Sequence, residues 1–498
     1  MNYLIKHASI IDPAGRVATV GDILIADGLV AQLYDLTDLH TERAPLGDDV
    51  EIIAARGAVV APGFTDLHAH LREPGYEQKE TIASGTRAAA HGGFTTLCAM
   101  PSTHPAPDTA AMVRHVRELA RREGHVNVEV IGALTQGRAG KLLAEMGELA
   151  EAGCIAFSDG GRAIADPALM RNALAYAAAL GLPVMTHCEE PRLAPGWAMH
   201  EGAISTRLGL AGLPAAAEEV AIARDIALAE STGAHLHLCQ VSTAAGVALI
   251  RAAKARGATV TAEVTPHHLT LSDRWVLGSM GGKLPPQAPE PKPRRKRNPS
   301  PELGLPSWLD PALLPPYDTS TRVSPPLRTD DDVDALVAGL RDGTIDAIAT
   351  GHAPHSRVEK EREYGLAAPG ISGLETALAL VLTLVHRGEM DLVNLVAKLT
   401  EGPAGVLGRS PATLRPGARA DLVIFDPQRS WTVDAASFAS RGRSTPLQGQ
   451  RLKGQVMLTM VGGRIAFRRE GFGVGAQAQR AASRLEGILG DEQLPSPL

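Results

Sequence analysis

The stretch Ala61-Pro-Gly-Phe-Thr-Asp-Leu-His-Ala-His-Leu-Arg-Glu-Pro-Gly75 ends an apolar run and leads into a loop. Alternation along a strand places His68 and His70 on one face. Two imidazoles on one strand face can share a metal ion. Arg72 follows at the end of the strand, where its fork of donors could hold a carboxylate. The stretch therefore predicts a metal-binding strand end beside an anion-binding arginine, and the alternative is two partly buried histidines with a surface arginine.

Composition limits the classes of protein that the chain can belong to. It has 498 residues, an apolar content of 44% and a net charge of −6 at pH 7, which give no general nucleic-acid surface. The first residues are not typical of a signal peptide, and no apolar run reaches membrane-spanning length. The cysteines are far apart and lie mostly in apolar runs, which predicts buried thiols in a cytoplasmic protein. They are Cys98, Cys154, Cys188 and Cys239.

Short apolar strands alternate with Ala-rich helical segments from about residue 58 to residue 400. Helices are predicted at 166–180 and 215–231, and a further helix from about Thr109. Strands are predicted at 94–100, 126–133, 154–157, 183–187, 236–241, 260–264 and 345–350. About eight such units predict an α/β fold, a (β/α)8 barrel. A doubly wound sheet is the alternative, but no Gly-x-Gly-x-x-Gly follows an early strand.

The two ends of the chain are β-rich and differ from the barrel. We expect residues 1–57 and 405–470 to form one small β-sandwich domain, with the barrel at 58–404 and a C-terminal helix and tail at 471–498. The segment at about 277–318 is rich in proline and carries the basic run Lys292-Pro-Arg-Arg-Lys-Arg297. This composition predicts a disordered insertion. Its basic run could contact an acidic partner, but a solvated loop is the favoured interpretation.

Histidines recur where the predicted strands end, and the ends of parallel strands carry the chemistry of a barrel. The motifs, after His68 and His70, are Thr186-His187-Cys188, His235-Leu-His237-Leu-Cys-Gln240, Thr265-Pro-His267-His268 and Thr350-Gly351-His352-Ala-Pro-His355. One histidine at a strand end is most often structural, but the recurrence over several strands indicates an active site.

Together these motifs resemble those of the bacterial type I dihydroorotases, in the amidohydrolase superfamily. The resemblance spans about residues 1–470 and is interrupted by the proline-rich segment. Allantoinases and hydantoinases carry Phe-Lys, with a carbamylated lysine, where this chain has Phe157-Ser-Asp159. The motifs that carry the resemblance are His68-Ala-His70-Leu-Arg-Glu-Pro-Gly75, Ala99-Met-Pro101, Phe157-Ser-Asp159, His187-Cys-Glu-Glu190, Thr265-Pro-His-His268, Pro325-Pro-Leu-Arg328, His352-Ala-Pro-His355 and Gly370-Ile-Ser-Gly-Leu-Glu375.

The resemblance implies a zinc-dependent barrel enzyme of pyrimidine synthesis that interconverts dihydroorotate and N-carbamoyl-aspartate. Zinc would lower the pKa of bound water and polarise the ring carbonyl, while a carboxylate shuttles protons. The implied metal ligands are His68, His70 and His187. The residues implied for the small-molecule substrate are Arg72, Ser102, Ser324, His355 and Gly370.

Several positions depart from the family pattern. Gly160 stands where the family has a metal-bridging aspartate, Gln240 where it has a metal-ligand histidine, and Gly351 where it has the catalytic aspartate. Ser102 replaces a substrate-binding asparagine, and Ser324 stands where many members have asparagine. His237 and Asp159 are possible substitute ligands, although a residue three positions along a strand from Gln240 generally faces the opposite side. The departures predict the fold without normal activity.

Three functions stay open at this point. The chain is a working dihydroorotase with unusual ligands, an inactive homologue that serves as a structural partner of aspartate carbamoyltransferase, or a related cyclic amidohydrolase acting on another ring. We expect no membrane and no nucleic acid among its partners, and a homodimer is possible.

Overall fold

Five strands at the amino terminus begin the chain in the computed structural model, which describes residues 2–36, 50–283 and 309–473. The strand β1 pairs antiparallel with β2 and parallel with β4 and β5, while β2 pairs antiparallel with β3. Runs of Ile, Leu and Val favour these extended segments because their branched side chains pack well on a pleated surface. The bounds are β1 (Asn2–Asp12), β2 (Val17–Ala26), β3 (Leu29–Asp35), β4 (Val50–Ala54) and β5 (Val59–Pro62).

Eight parallel strands follow and form the barrel. They are β6 (Phe64–Ala69), β7 (Phe94–Ala99), β8 (Asn127–Ala133), β9 (Ala156–Ser158), β10 (Val184–His187), β13 (Leu236–Cys239), β14 (Val260–Val264) and β15 (Ala347–Ile348). Two further short strands, β11 (Met199–His200) and β12 (Gly212–Leu213), pair with each other in the connection after β10. Each barrel strand pairs with its neighbour in chain order, which is the pattern of a (β/α)8 barrel.

The first and last barrel strands meet where the chain continues beyond them. Ala69 forms a parallel bridge with His352, and the His70 N–H donates to the His352 carbonyl at 2.9 Å. Below this bridge the buried Asp66 carboxylate accepts from the Thr350 N–H at 2.8 Å and from the Thr350 hydroxyl at 2.5 Å. These contacts join the two ends of the parallel sheet, and the predicted barrel is confirmed.

Twelve α-helices lie within the described residues, most of them between barrel strands. They are α1 (Ile82–His91), α2 (Ala110–Glu123), α3 (Met146–Glu151), α4 (Pro167–Leu180), α5 (Ala203–Leu208), α6 (Ala216–Thr232), α7 (Ala244–Ala255), α8 (Asp330–Arg341), α9 (Arg357–Lys360), α10 (Ala377–His386), α11 (Leu392–Leu399) and α12 (Glu401–Val406). Short 3-10 segments lie at Gln136–Arg138, Asp273–Lys283, Pro311–Leu313, Thr319–Thr321, Tyr364–Leu366 and Ala435–Ser437.

Helix α4 shows how local sequence sets the bounds of a helix. The Asp166 side chain caps its start by accepting from the Ala168 N–H at 2.8 Å, and Pro167 occupies the first turn. Gly181 ends it in the left-handed conformation, with φ of 68°. The helices predicted at 166–180 and 215–231 are confirmed to within one residue. Inward-facing side chains of such helices and the outer faces of the strands form the largest apolar core.

Three carboxyl-terminal strands complete the amino-terminal sheet. They are β16 (Leu422–Thr432), β17 (Arg451–Val461) and β18 (Arg464–Arg468). β16 pairs antiparallel with both β5 and β17, and β17 turns into β18 through Gly462 and Gly463. Both glycines have positive φ, at 54° and 74°. The two termini therefore share one eight-stranded sheet with its own apolar core, and this sheet is an additional domain beside the barrel.

The described residues extend into the segment at about 277–318 that was predicted as a proline-rich insertion. On its flanks Leu277, Leu309 and Leu314 are buried. Leu309 and Leu314 lie in a small apolar core with Trp275, and Leu277 lies in a second small core. The remainder, 284–308 with its basic run, lies outside the described residues, as do 474–498 of the predicted tail. Across the described ranges no helix has both the length and the apolar character needed to cross a membrane.

Candidate functional site

A cavity of about 430 Å³ opens at the carboxyl ends of the barrel strands. Its size is within the usual range for small-molecule sites. Four histidines line it, from β6, from the segment after β14 and from the segment after β15: His68, His70, His267 and His355. The described lining residues include no aspartate or glutamate. The site is therefore rich in imidazoles and poor in anionic groups.

His68 and His70 face the same cavity, as their alternation predicted. Their ring centroids are 5.3 Å apart. His68 Nδ1 lies 2.8 Å from a carboxylate oxygen of Glu263, and His70 Nδ1 lies 2.5 Å from the Ser102 hydroxyl. Burial, followed by the charge of Arg72, lowers the pKa of His70 well below its ordinary value. His70 is thus a neutral imidazole near neutral pH.

Glu263 is a buried acid that the sequence analysis missed. One oxygen accepts from His68, and the other lies 3.1 Å from His237 Nε2. Burial alone would raise the pKa of Glu263, but the charges and N–H groups of the two histidines outweigh it and lower the pKa to about 2. A single acidic residue within an otherwise apolar strand was the available signal. Because both oxygens are engaged, Glu263 orients the two histidines.

His187 ends β10 but does not line the cavity. Its Nε2 lies 3.4 Å from Glu189, and its buried Nδ1 has no hydrogen-bond partner within the described part of the chain. In that same part, just one group of three His, Cys, Asp or Glu ligand atoms lies within 4.8 Å of one another: His68, Cys239 and Glu263. The structure thus brings His68 and His70 together and does not gather His187 with them into such a group.

Both possible substitute ligands, His237 and Asp159, form hydrogen bonds with other protein groups. His237 is fully buried, with Nδ1 2.9 Å from the Thr261 hydroxyl and Nε2 bound to Glu263. Asp159 accepts from the Leu134 and Thr135 N–H groups at 3.0 Å and from the Thr135 hydroxyl. Burial raises the pKa of Asp159. These hydrogen bonds connect His237 to β14 and Asp159 to the segment that follows β8.

The three departures from the family pattern lie together on the cavity wall. Gly160, Gln240 and Gly351 all line it. A Cβ atom at position 351 would lie 2.8 Å from Gln240 Nε2 and 3.0 Å from Thr265 Cγ2. The Gln240 amide therefore occupies space that a side chain at position 351 would need. Gly351 itself has φ of 61°, a conformation that favours glycine.

The residues predicted to contact a substrate all line the cavity. They are Arg72, Ser102, Ser324, His355 and Gly370. Arg72 Nε donates to the Pro354 carbonyl at 3.3 Å, and His355 Nε2 donates to the Pro369 carbonyl at 3.0 Å. Burial, then the charge of Arg72, lowers the pKa of His355 to about 3. Their shared wall is polar and carries positive charge.

Further cations line the cavity that the sequence analysis did not assign. They are Lys79, Arg138 and Arg162. Lys79 pairs with Glu359 at 2.6 Å. Arg138 and Arg162 follow β8 and β9, so the rule that barrel chemistry lies at strand ends could have found them. The sequence prediction of the site rested on histidines at strand ends and therefore did not include these arginines. His267 belonged to a quoted motif but was given no role.

Known proteins resemble this chain over most of its length. A family model described as Dihydro-orotase-like matches residues 57–245. The chain is 47% identical to a dihydroorotase of Pelotomaculum thermopropionicum over 94% of this chain and 99% of the relative. It is 47% identical to a dihydroorotase of Anaeromyxobacter dehalogenans over 93% of this chain and 96% of the relative.

The fold has relatives among solved structures. An L-hydantoinase (dihydropyrimidinase) from Arthrobacter aurescens superposes with a TM-score of 0.75 at 24% identity, over 95% of this chain and 97% of that one. That likeness supports the barrel and its additional sheet domain. The sequence relatives carry the family assignment, and the resemblance expected from the motifs is confirmed. The chain belongs to the dihydroorotase family of the amidohydrolase superfamily.

Proposed function

We propose that this member of the dihydroorotase family retains the substrate-binding side of the pocket and that its hydrolytic activity is lost or strongly impaired. The family reaction interconverts dihydroorotate, with water, and N-carbamoyl-aspartate in pyrimidine biosynthesis. The observation that carries the proposal is a cavity whose described lining has no carboxylate. Both the proton shuttle and the bridging of metal ions depend on carboxylates in this family.

The donor set does not fit the metal centre of the family. Dihydroorotases and hydantoinase-like enzymes are generally metal-dependent, and a catalytic zinc ion usually has three protein ligands. Here His68 and His70 are the imidazoles of the predicted set that face the cavity. Nearby arginines add positive charge, which opposes a divalent cation. A zinc site built on His68, His70 and His187 is therefore weak in our proposal, and no catalytic step is assigned to it.

The substrate side of the pocket supports recognition of an anionic ring or its opened product. We propose that Arg72 holds a substrate carboxylate through its guanidinium fork. Ser102, Ser324 and the backbone at Gly370 would contribute neutral hydrogen bonds. His355 would remain neutral because its pKa is lowered to about 3, so it is suited to accept or donate a hydrogen bond without changing charge. This side alone can bind but lacks a general acid or base.

Metal content and turnover test the proposal together. After dialysis, elemental analysis should find less than one tightly held zinc ion per chain. Cyclisation of N-carbamoyl-aspartate at slightly acidic pH should be at least about 10²-fold slower than an ordinary turnover of roughly 10 s⁻¹. Assays with added zinc control for metal lost during purification. Two tightly held ions together with ordinary turnover would refute the proposal.

A structural role is the second candidate, because the barrel and its sheet are complete while several of the family's catalytic and metal-binding side chains are replaced. We propose aspartate carbamoyltransferase as the partner and a homodimer as the alternative assembly. Size-exclusion chromatography with light scattering, on the chain alone and mixed with the transferase of the same organism, separates these assemblies. A related cyclic amidohydrolase is disfavoured because it would need the same missing groups.

We also propose the division of the chain into a composite domain at 1–57 and 405–470 and a barrel at 58–404. Continuous pairing of β16 with β5 supports the composite domain. A cytoplasmic location is proposed because all four cysteines are unpaired and buried. Both proposals can be checked, the first by limited proteolysis and the second by cell fractionation.

A further inference from the structure

Three arginines around the cavity have no acidic partner among the described residues. Arg72, Arg138 and Arg162 line it, yet none forms an ion pair in the described part of the chain. Lys79 differs, because Glu359 neutralises it at 2.6 Å. Arg72 and Arg138 are half-buried, and such cations are costly unless an anion compensates them, whereas Arg162 lies at the exposed rim. The unbalanced charge is therefore a property of this pocket that the protein alone does not satisfy.

Arg138 is held against Gly160, the position where the family carries its bridging aspartate. Its Nε donates to the Asp159 carbonyl at 2.8 Å, and its Nη2 donates to the Gly160 carbonyl. These two acceptors fix the plane of the guanidinium and leave Nη1 without an acceptor among the described residues. Arg162 Nη1 in turn donates to the Arg138 carbonyl at 3.1 Å. The guanidinium group of Arg138 is thus preorganised for a ligand.

The arginines influence one another through the cavity. Burial, then the charge of Arg162, lowers the pKa of Arg138 to about 10. The like charges are therefore close enough to repel, and a bound anion would relieve that repulsion.

The backbone beside Arg138 leaves room for a ligand. Gly160 and Gly161 are consecutive glycines with φ of 45° and 72°, and both line the cavity. A Cβ atom at Gly161 would meet nothing within 4 Å. Absent side chains let a ligand approach the main chain closely. The cavity volume of about 430 Å³ suits a molecule of metabolite size.

We propose that this pocket is a metal-independent binding site for a small molecule with two or more carboxylate or phosphate groups, held jointly by Arg72, Arg138 and Arg162. Arg138 supplies positive charge on the wall where relatives of this family carry a metal-bridging acid. Guanidinium forks match both carboxylate and phosphate oxygens in geometry. The proposal goes beyond the dihydroorotase reaction, because binding requires no turnover. Ordinary turnover would refute the proposed loss of hydrolytic activity, but it would not decide whether the anion-binding site exists.

Calorimetric titration of the full, EDTA-treated chain tests the site with two probes, succinate and inorganic phosphate. Acetate, a monoanion, serves as the background probe. We expect at least one dianion to bind at least tenfold more tightly than acetate, with no change when EDTA is retained. Tight binding of succinate alone, phosphate alone or both supports the site and shows whether it accepts carboxylate groups, phosphate groups or both. Failure of both dianions to exceed acetate would overturn it.

Variants then assign the binding to the arginines. Arg138→Gln should weaken the favoured dianion at least tenfold, and Arg162→Gln, at the exposed rim, about threefold. The exposed Arg171→Gln on α4 is the matched control and should leave affinity unchanged. Because Arg162 is exposed, its variant keeps the test valid if Arg138→Gln fails to fold. Unchanged affinity in both pocket variants, or binding that appears only with added zinc, would refute the proposal.

Discussion

Acidic and basic side chains at the carboxyl end of the barrel differ in how completely the protein satisfies them. Asp159, Glu80 and Glu263 each accept hydrogen bonds from two or more groups. Arg72 and Arg138, by contrast, donate mainly to main-chain carbonyl groups and have no carboxylate partner among the described residues. The acids are therefore part of the scaffold, and the arginines are available to a ligand. Charged residues near a cavity are functional candidates when their partners are incomplete.

The largest expected effect comes from restoring acids to the cavity wall. The triple variant Gly160→Asp, Gln240→His, Gly351→Asp should raise turnover of N-carbamoyl-aspartate by about 10²-fold or more. Each single change should gain less than about tenfold, because residues that act as one unit regain activity non-additively. Gly351→Asp alone also meets the Gln240 amide. A single variant that equals the triple variant would contradict the interpretation.

Glu80 tests the scaffold role of the saturated acids. Its carboxylate is fully buried and accepts from the Ser84 and Ser440 hydroxyls and from His352 Nε2 at 3.2 Å. Glu80→Gln should lower the free energy of unfolding by about 3 kcal/mol, because charge-assisted bonds are lost inside the protein. Chemical denaturation measures this. The exposed Glu151→Gln on α3 is the control, and an equal effect of both changes would count against the scaffold role.

The same residue predicts a pH dependence. Burial would raise the pKa of Glu80, but the hydrogen bond and charge of His352, with the two serine hydroxyls, lower it below its ordinary value of 4.5. A lowered folded-state pKa means that the stabilisation is present above about pH 4.5 and is lost as the pH falls through the folded-state pKa. The Glu80→Gln variant should therefore lose less stability than the unmodified chain as the pH falls below about 4.5. Equal losses of stability in the variant and the unmodified chain over the same pH range would contradict this.

A smaller effect is expected from the crowding between positions 240 and 351. Gly351→Ala should cost about 1–2 kcal/mol, because the position has positive φ and a Cβ atom would press on Gln240. In a Gln240→Ala background the cost should fall by about 0.5 kcal/mol or more. Gly161→Ala has a similar φ of 72° in open space and isolates the backbone contribution. A coupling of zero would show that Gln240 moves aside freely.

The smallest effect on stability is expected for the unpaired cations. Arg72→Gln should change the free energy of unfolding by less than about 0.5 kcal/mol, because no carboxylate partner is lost and repulsion from Arg138 is relieved. Thermal unfolding of this variant and of Glu80→Gln, measured together, compares the unpaired arginines with the hydrogen-bonded acids directly. A loss as large as that of Glu80→Gln would show that Arg72 is structural.

The sequence was sufficient for the barrel, the shared sheet and the shared face of His68 and His70, because these depend on periodicity and on local turns. It was insufficient for Glu263, Arg138 and Asp159, whose roles depend on partners in other strands. Asp159 was considered a possible metal ligand, yet Leu134 and Thr135 hold it. Side-chain partners across a barrel follow from the register between strands, which one strand alone does not reveal.

The bridge between Ala69 and His352 has a consequence for biosynthesis. β5 and β6 each have one neighbour close in sequence and one that follows nearly three hundred or more positions later, at Thr350, His352 and β16. At a synthesis rate of roughly 5–20 residues per second, the amino-terminal strands wait roughly 20–70 s for β16 to be made. During that interval their edges are unpaired and open to wrong pairing. Completion of the shared sheet thus waits for its last strands, and truncation before β16 leaves one edge of β5 without its native neighbour.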